Sequence, residues 1–252
     1  MTASLPMYDW PEVTAHTNSL WAGIRRALVA SGIPAPAELT RPADGPWDCW
    51  YDPELLLSQT CGLPFSAKLV GKTTLLGAPD FDVPGAGPGE YYSVIIVAAD
   101  SPASNLEDLI GQRFAYNMRE SQSGWAALAA LLDIPTHFGD LVLSGAHRAS
   151  VQAVAEGRAD AAAIDAVSWE LARRHDPAAA NVRVLTKTPV TPGLPYITSL
   201  ANASAKSEIV AAIRKAITEL PAETREALLL NGFACKTEAD YAPLAKGWPE
   251  EA

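Results

Sequence analysis

The sequence predicts an α/β fold built mostly on parallel sheets, and three observations carry that prediction. From Arg113 onward, a short apolar run, a polar elbow and a helix-like segment follow one another three times in about sixty residues, the pattern of parallel strands joined by crossover helices. Tyr91-Tyr-Ser-Val-Ile-Ile-Val-Ala98 is β-branched and apolar without alternation, as expected of a strand covered on both faces. The 252 residues, 48% of them apolar, are enough for one large core or two modest ones.

In chain order, Thr2 to Tyr8 reads as a strand. Thr14 to Ser31 reads as a helix, with Leu20, Trp21, Ile24, Ala27 and Leu28 on one face and Gly32 and Pro34 as its stop. Pro36 to Asp52 is proline-rich and reads as loop with room for one strand. Leu55 to Gln59 is a buried strand, Phe65 to Val70 a turn or two of helix, and Thr73 to Gly77 another strand. Pro79 to Gly89, with Gly85, Gly87 and Gly89, reads as loop. A short helix is expected over Asn105 to Ile110. The three repeats are then Arg113 to Tyr116 with a helix over Ser123 to Leu132, Leu141 to Ser144 with a helix over Ala149 to Glu156, and Ala161 to Ile164 with a helix ending near Arg174. Val182 to Thr186 and Tyr196 to Ser199 are strands around a proline-rich elbow. Ala205 to Leu220 and Pro221 to Leu230 are helices, the second ending at Asn231-Gly232, before a polar tail from Lys236 to Ala252 anchored by Trp248.

This alternation fits two packings. One is a single doubly wound domain. The other is two lobes of about 150 and 90 residues, with Tyr91 to Asp100 as the outbound crossing and Lys187 to Tyr196 as the return. Length alone does not choose between them.

Composition narrows the function. A formal charge of −10 disfavours a nucleic-acid or anionic-membrane surface, which would need clustered Lys and Arg. One small anion remains compatible, because backbone N–H groups can make a locally positive seat in an acidic protein. Cys49, Cys61 and Cys235 lack metal-like spacing, and the histidines at 16, 137, 147 and 175 make no zinc pattern, so neither a metal nor another cofactor is expected. No run of ~18 uncharged apolar residues would span a membrane. Met1 to Trp10 has neither a basic start nor a long apolar core, so it does not read as a secretory signal; a cytoplasmic protein and a processed mature form both fit.

The sharpest local feature is Ser121-Gln122-Ser123-Gly124, between a strand and a helix. A serine there can cap the helix, the glycine permits close approach, and the remaining N–H groups with the positive helix end form an anion seat. A plain capped helix would look the same. His147 and Asp165 lie in the next two elbows, at strand carboxyl ends where open α/β sheets place ligands. Asp165 closes an uncharged buried run and so needs a cationic partner or a helix N-terminus to cap. No G-x-S-x-G elbow supports a serine–histidine–aspartate triad. Tyr8, Trp10, Gln59, Tyr91, Tyr92 and Ser93 add aromatic faces and polar tips suited to a small polar molecule.

These residues also carry a resemblance. Leu5-Pro-Met-Tyr-Asp-x-Pro-Glu12, Leu57-Ser-Gln-Thr-Cys-Gly-Leu-Pro64, Tyr91-Tyr-Ser93, Ser121-Gln-Ser-Gly124, Ser144-Gly-Ala-His147, Gly157-Arg-Ala-Asp-x-Ala-Ala-Ile-Asp165 and Pro192-Gly-Leu-Pro-Tyr-Ile-Thr198 occur in order over nearly the whole chain. Together they resemble the phosphate/phosphonate-binding family of type II periplasmic solute-binding proteins. The resemblance implies a two-lobed fold with mostly parallel sheets and two crossing segments, lobe 1 being residues 1–96 plus 192–252 and lobe 2 residues 97–191. It implies a monomer that holds a small anionic metabolite in a cleft, passes it to an ABC permease and works in the periplasm without catalysing a reaction. Ser121, Gln122 and Ser123 would hold the phosphonate, Tyr91 or Tyr92 complete the grip, His147 match the elbow histidine and Asp165 receive a substrate amine. The chain departs from the family in lacking a leader or lipobox cysteine, in carrying Gln122 where a small hydroxyl residue is usual, and in the aromatic pair Tyr8 and Trp10. Two other readings share the scaffold: a cytoplasmic enzyme similar to thiamine-pyrimidine synthases, whose cysteine-rich stretch is missing here, and a soluble ligand sensor.

Overall fold

A computed structural model describes residues 1–43 and 45–249. Asp44 of the expected loop and residues 250–252 of the expected tail lie outside the described residues. The chain forms two compact units, Met1–Glu90 with Pro192–Pro243, and Tyr91–Thr191 with the segment from Leu244 onward.

The first unit opens with strand β1 (Thr2–Ser4) and helix α1 (Thr14–Ala30). Helix α2 (Trp47–Tyr51) lies inside the stretch read as loop, its Trp47 and Trp50 rings meeting edge to face at 4.9 Å. Strand β2 (Leu55–Gln59) is buried throughout. A turn of helix α3 (Gly62–Pro64) runs into a π-helical turn over Phe65–Leu69. Strand β3 (Thr73–Phe81) continues through Pro79, three residues into the expected loop, and β4 (Glu90–Tyr91) marks where the chain leaves the unit.

The second unit contains β5 (Ser93–Ala98), a 3₁₀ turn over Glu107–Leu109, β6 (Phe114–Tyr116), a π-helical turn over Gln122–Ala126 continued by α4 (Ala127–Ala129), and α5 (Ile134–His137). Strand β7 (Leu141–Leu143), α6 (His147–Ala155), β8 (Ala161–Asp165), α7 (Ala166–His175) and β9 (Val182–Lys187) follow. The chain returns to the first unit at β10 (Thr191–Pro192) and closes with β11 (Tyr196–Ser199), α8 (Lys206–Glu219), α9 (Ala222–Ala227), β12 (Leu230–Ala234) and α10 (Glu238–Tyr241).

The expectation of mostly parallel sheets is corrected. The first unit's sheet runs β1-β2-β11-β3-β12 and the second's β7-β6-β8-β5-β9. Among the described residues of these two sheets, β1–β2, β6–β7 and β6–β8 pair in parallel, whereas β2–β11, β3–β11, β3–β12, β5–β8 and β5–β9 are antiparallel. The three elbows do give a parallel set, β6, β7 and β8. The error lies in β5, which enters between β8 and β9 against both. Its unbroken apolar sequence reflects burial on two faces, which a strand of either direction can have. In the first unit the returning chain supplies β11 and β12, and both run against β3.

Each unit has its own core. Trp21, Ile24 and Leu28 of α1 pack with Ile209, Ile213 and Ile217 of α8 over the first sheet. In the second unit, Ile95, Val97, Phe114, Ala161 and Ala163 form one sheet face, covered by Trp125, Leu128, Ile134 and Phe138. Phe114 stacks on Phe138 with ring centroids 4.6 Å apart. α6 lies against β8 and β5 with Val151 and Val154 buried. Helix starts and the carboxyl ends of β6, β7 and β8 are thereby gathered at one end of this sheet.

Candidate functional site

At the carboxyl end of β6, the chain runs through Asn117 to Ser121, which stands in extended conformation (φ −82°, ψ 126°) immediately before the helical turn. Its Oγ accepts the Gly124 N–H at 3.0 Å, and its carbonyl accepts the Ala126 N–H at 3.0 Å. Ser121 is thus the helix cap that the sequence suggested. Of the first-turn N–H groups, that of Gly124 is thus taken by Ser121, and the peptide dipoles concentrate positive potential at this helix start.

Two neighbours fix Ser123. The Ser93 hydroxyl donates to the Ser123 carbonyl at 2.8 Å, and Ser123 Oγ lies 3.0 Å from His147 Nε2. Ser93 is held in turn by Thr188, whose Oγ1 accepts the Ser93 N–H at 2.9 Å while its own N–H donates to the Ser93 carbonyl at 2.9 Å. His147 opens α6, and its Nδ1 is sealed from solvent. Burial pushes the imidazole down to about 4, with the Ala163 backbone acting the other way. The ring is therefore neutral near pH 7.

Asp165 ends β8 opposite Ser93 and is 2% exposed. Its Oδ1 accepts the Val167 and Ser168 N–H groups at 2.8 and 2.9 Å, so it caps α7, one of the two demands its burial made. Tyr92 takes a hydrogen bond on its hydroxyl from Lys187 Nζ at 2.8 Å, and the ammonium sits 4.3 Å from the ring centroid. Tyr91 is 2% exposed, and Gln122 is buried in the helical turn.

Hydrogen bonds of the second unit therefore join Ser93, Ser123 and His147, Ser121 and Gln122 stand beside Ser123 in the same turn, and Asp165 is paired in register with Ser93. Tyr8, Trp10 and Gln59 belong to the first unit. There Tyr8 meets Phe81 edge to face at 5.0 Å, the Trp10 carbonyl caps the approach to α1 by accepting from Val13 N–H and Thr14 Oγ1, and the Gln59 carbonyl accepts Trp50 Nε1–H at 3.1 Å. Gln59 Nε2 is buried with no hydrogen-bond partner among the described residues.

Sequence reasoning missed three residues of the constellation. Lys187 closes β9 and Thr188 follows it, where a polar pair before a proline looks like an ordinary strand end. Asn117 is 9% exposed, and its Oδ1 has no hydrogen-bond partner among the described residues. It also supplies a different reason for Gly124: a Cβ there would lie 1.8 Å from Asn117 Oδ1. The glycine leaves the space that the Asn117 amide occupies. Among the described residues no group of His, Cys, Asp or Glu could hold a metal ion, and no helix is long and apolar enough to cross a membrane.

Two units of mixed sheet, one bearing a serine-capped helix start at its strand ends, define a solute-binding protein of the periplasmic-binding-protein class. Residues 80–243 match the family described as ABC transporter, phosphonate, periplasmic substrate-binding protein, and the chain belongs to that family. Solved structures agree on the fold. PhnD1 from Prochlorococcus marinus (MIT 9301), in complex with methylphosphonate, superposes with a TM-score of 0.71 at 15% identity over 98% of this chain and 96% of its own. XAC2383 from Xanthomonas citri, bound to ATP, gives 0.72 at 15% identity over 98% and 96%. PA3383 from Pseudomonas aeruginosa, a binding-protein component of an ABC phosphonate transporter, gives 0.71 at 15% identity over 98% and 84%. No curated protein sequence matches the chain significantly. The family is one of solute carriers rather than enzymes.

Proposed function

We propose that the protein binds a small oxyanion of the phosphonate or phosphate type for delivery to an ABC permease, and that the seat is the helix start at Ser121–Gly124. The observation that carries this reading is the fixed Ser123, tied through its carbonyl to Ser93 and through its hydroxyl to His147 beside first-turn amides. Such a seat recognises negative charge by hydrogen-bond donors held in place before the ligand arrives, at little reorganisation cost. The dipole and N–H groups suit three or four oxygens on one centre. No arginine or lysine is required, which reconciles anion binding with a chain of net charge −10.

Tyr91 and Tyr92 fit the role of completing the grip, Tyr92 bringing the Lys187 ammonium with it. Gln122 replaces a hydroxyl by an amide in the turn and is the residue through which this chain's preference would differ from that of its relatives. Membership in a periplasmic family supports delivery on the periplasmic side.

The test is a thermal-shift and titration panel of methylphosphonate, phosphate, phosphite and methanesulfonate. At a free concentration of about a hundred times Kd, a true ligand should add about 2.7 kcal/mol to the unfolding free energy and raise Tm accordingly. A panel without any shift or heat of binding would defeat the reading.

A further inference from the structure

The residue that follows β6 brings a polar group to the proposed seat that the fold itself does not use. Asn117 comes after Tyr116, whose carbonyl accepts the N–H and the hydroxyl of Ser144 at 2.8 and 3.0 Å, and before Met118, whose carbonyl accepts the Ser121 N–H at 3.3 Å. Its backbone is thus pinned on either side. Its side chain reaches the start of the helical run 122–129. Oδ1 lies 1.8 Å from the point where a Gly124 Cβ would stand, and Ser121 Oγ lies 3.2 Å from the same point.

The residue is 9% exposed, and Oδ1 has no hydrogen-bond partner among the described residues. A buried carbonyl oxygen without a donor costs free energy, and such atoms are rare unless something completes them. Packing gives no reason for the amide, because a leucine has nearly the same shape and would fill the space beside Gly124 without that cost. Gly124 has no positive φ, so its missing Cβ admits the amide and does not serve a turn. Other polar groups of the loop are engaged. Ser121 Oγ takes the Gly124 N–H, Ser123 Oγ meets His147, and Arg119, the one cation between β6 and the helix, stands over the Trp125 ring at 4.5 Å.

We propose that Asn117 is a further ligand-binding residue of this seat, its carboxamide donating an Nδ2–H to the bound oxyanion. No bond holds Oδ1 where it is, and half a turn about Cβ–Cγ exchanges it for Nδ2 in nearly the same space. Against the positive helix start alone, the carbonyl end is favoured; against a negative oxygen, the N–H end is. A carboxamide serves both states without moving its backbone, which keeps the reorganisation on binding small. The class of ligand favoured is a tetrahedral oxyanion, with one oxygen for Ser123, one for the first-turn N–H groups and one for the amide. A carboxylate has one oxygen too few.

The inference rests on the seat proposed above, and its test separates the two. Methylphosphonate is titrated calorimetrically into the full chain as wild type, Asn117→Leu and Ser123→Ala. Loss of one hydrogen bond to a charged group should weaken Asn117→Leu by about ten- to a hundredfold, although leucine fills the space of the amide. In the wild type, NMR follows the Asn117 side-chain NH₂ through the same titration, which stands even where the leucine variant fails to fold. One of its protons should move downfield and exchange more slowly at saturation, a change that a merely space-filling amide would not show. Asn117→Leu binding as tightly as the wild type while Ser123→Ala is weakened, or an Asn117 amide signal unmoved at saturation, would overturn this inference and leave the seat standing. Binding unaffected by either substitution, or no binding of methylphosphonate by the wild type, would overturn the seat as well.

Discussion

Ser123 shows how much of this site depends on single atoms. Its main-chain oxygen is held by Ser93 and its hydroxyl by His147, so neither end of the residue is left to thermal choice. Gly124, beside it, has an ordinary backbone conformation, and the demand for glycine is purely steric. Adding a methyl group at 124 would push the Asn117 amide aside and crowd Ser121 Oγ at 3.2 Å. Gly124→Ala should therefore lower stability by about 1–3 kcal/mol, as overpacking does. Asn117→Ala in the same chain removes the atoms nearest the new methyl and should recover part of that loss. Urea denaturation of the two variants checks it, and equal stability of Gly124→Ala and wild type would show that Asn117 yields freely. Ser121, Ser123, His147 and Asp165 stand out in the sequence because each lies in a polar elbow after an apolar run, and Ser93 because it follows the strand tyrosines Tyr91 and Tyr92. Asn117, Lys187 and Thr188 do not, because their roles arise from neighbours distant in sequence: Gly124 for the first, and the Tyr92–Ser93 pair for the other two.

At the scale of elements, the elbows were read well and the strand directions were not. Periodicity reports which faces are buried, and it located α1, β2, β5, α8 and the β6, β7, β8 set to within a few residues. Direction is a property of connections, and β5, β11 and β12 are placed by segments whose return path has no sequence signature. The ending of α9 is instructive. The sequence offers Asn231-Gly232 as a stop, yet the helix ends at Ala227 and Leu229 takes the left-handed conformation (φ 55°), freeing Leu230–Ala234 to pair with β3. A leucine seldom does this, so propensity pointed elsewhere. α7 carries the prediction that belongs here. Asp165 caps it through one oxygen, so Asp165→Ala should cost about 1–2 kcal/mol, whereas asparagine caps nearly as well and should cost about 1 kcal/mol or less. If the carboxylate charge also receives a ligand amine, Asp165→Asn will lose an aminoalkylphosphonate while retaining methylphosphonate. Titration of both ligands decides it, and parallel loss would make Asp165 a cap alone.

For the whole molecule, the chain leaves the first unit at β4, builds the second and returns at β10, so each unit has its own sheet and core. That plan is shared with relatives at 13–15% identity, where few side chains are held in common. The frame fixes where strand ends and helix starts meet, and on the function proposed above a small number of residues there would decide what is bound. An acidic protein can serve an anionic ligand because the attraction is supplied locally by oriented amides and hydroxyls and need not come from net charge. The central claim is that the helix start at Ser121 is where the oxyanion rests. A crystal structure of the protein with methylphosphonate tests it most directly. The account predicts phosphonate oxygens within about 2.7–3.2 Å of the first-turn N–H groups and of Ser123 Oγ. Phosphonate density elsewhere, with the Ser121–Gly124 turn left untouched, would contradict it.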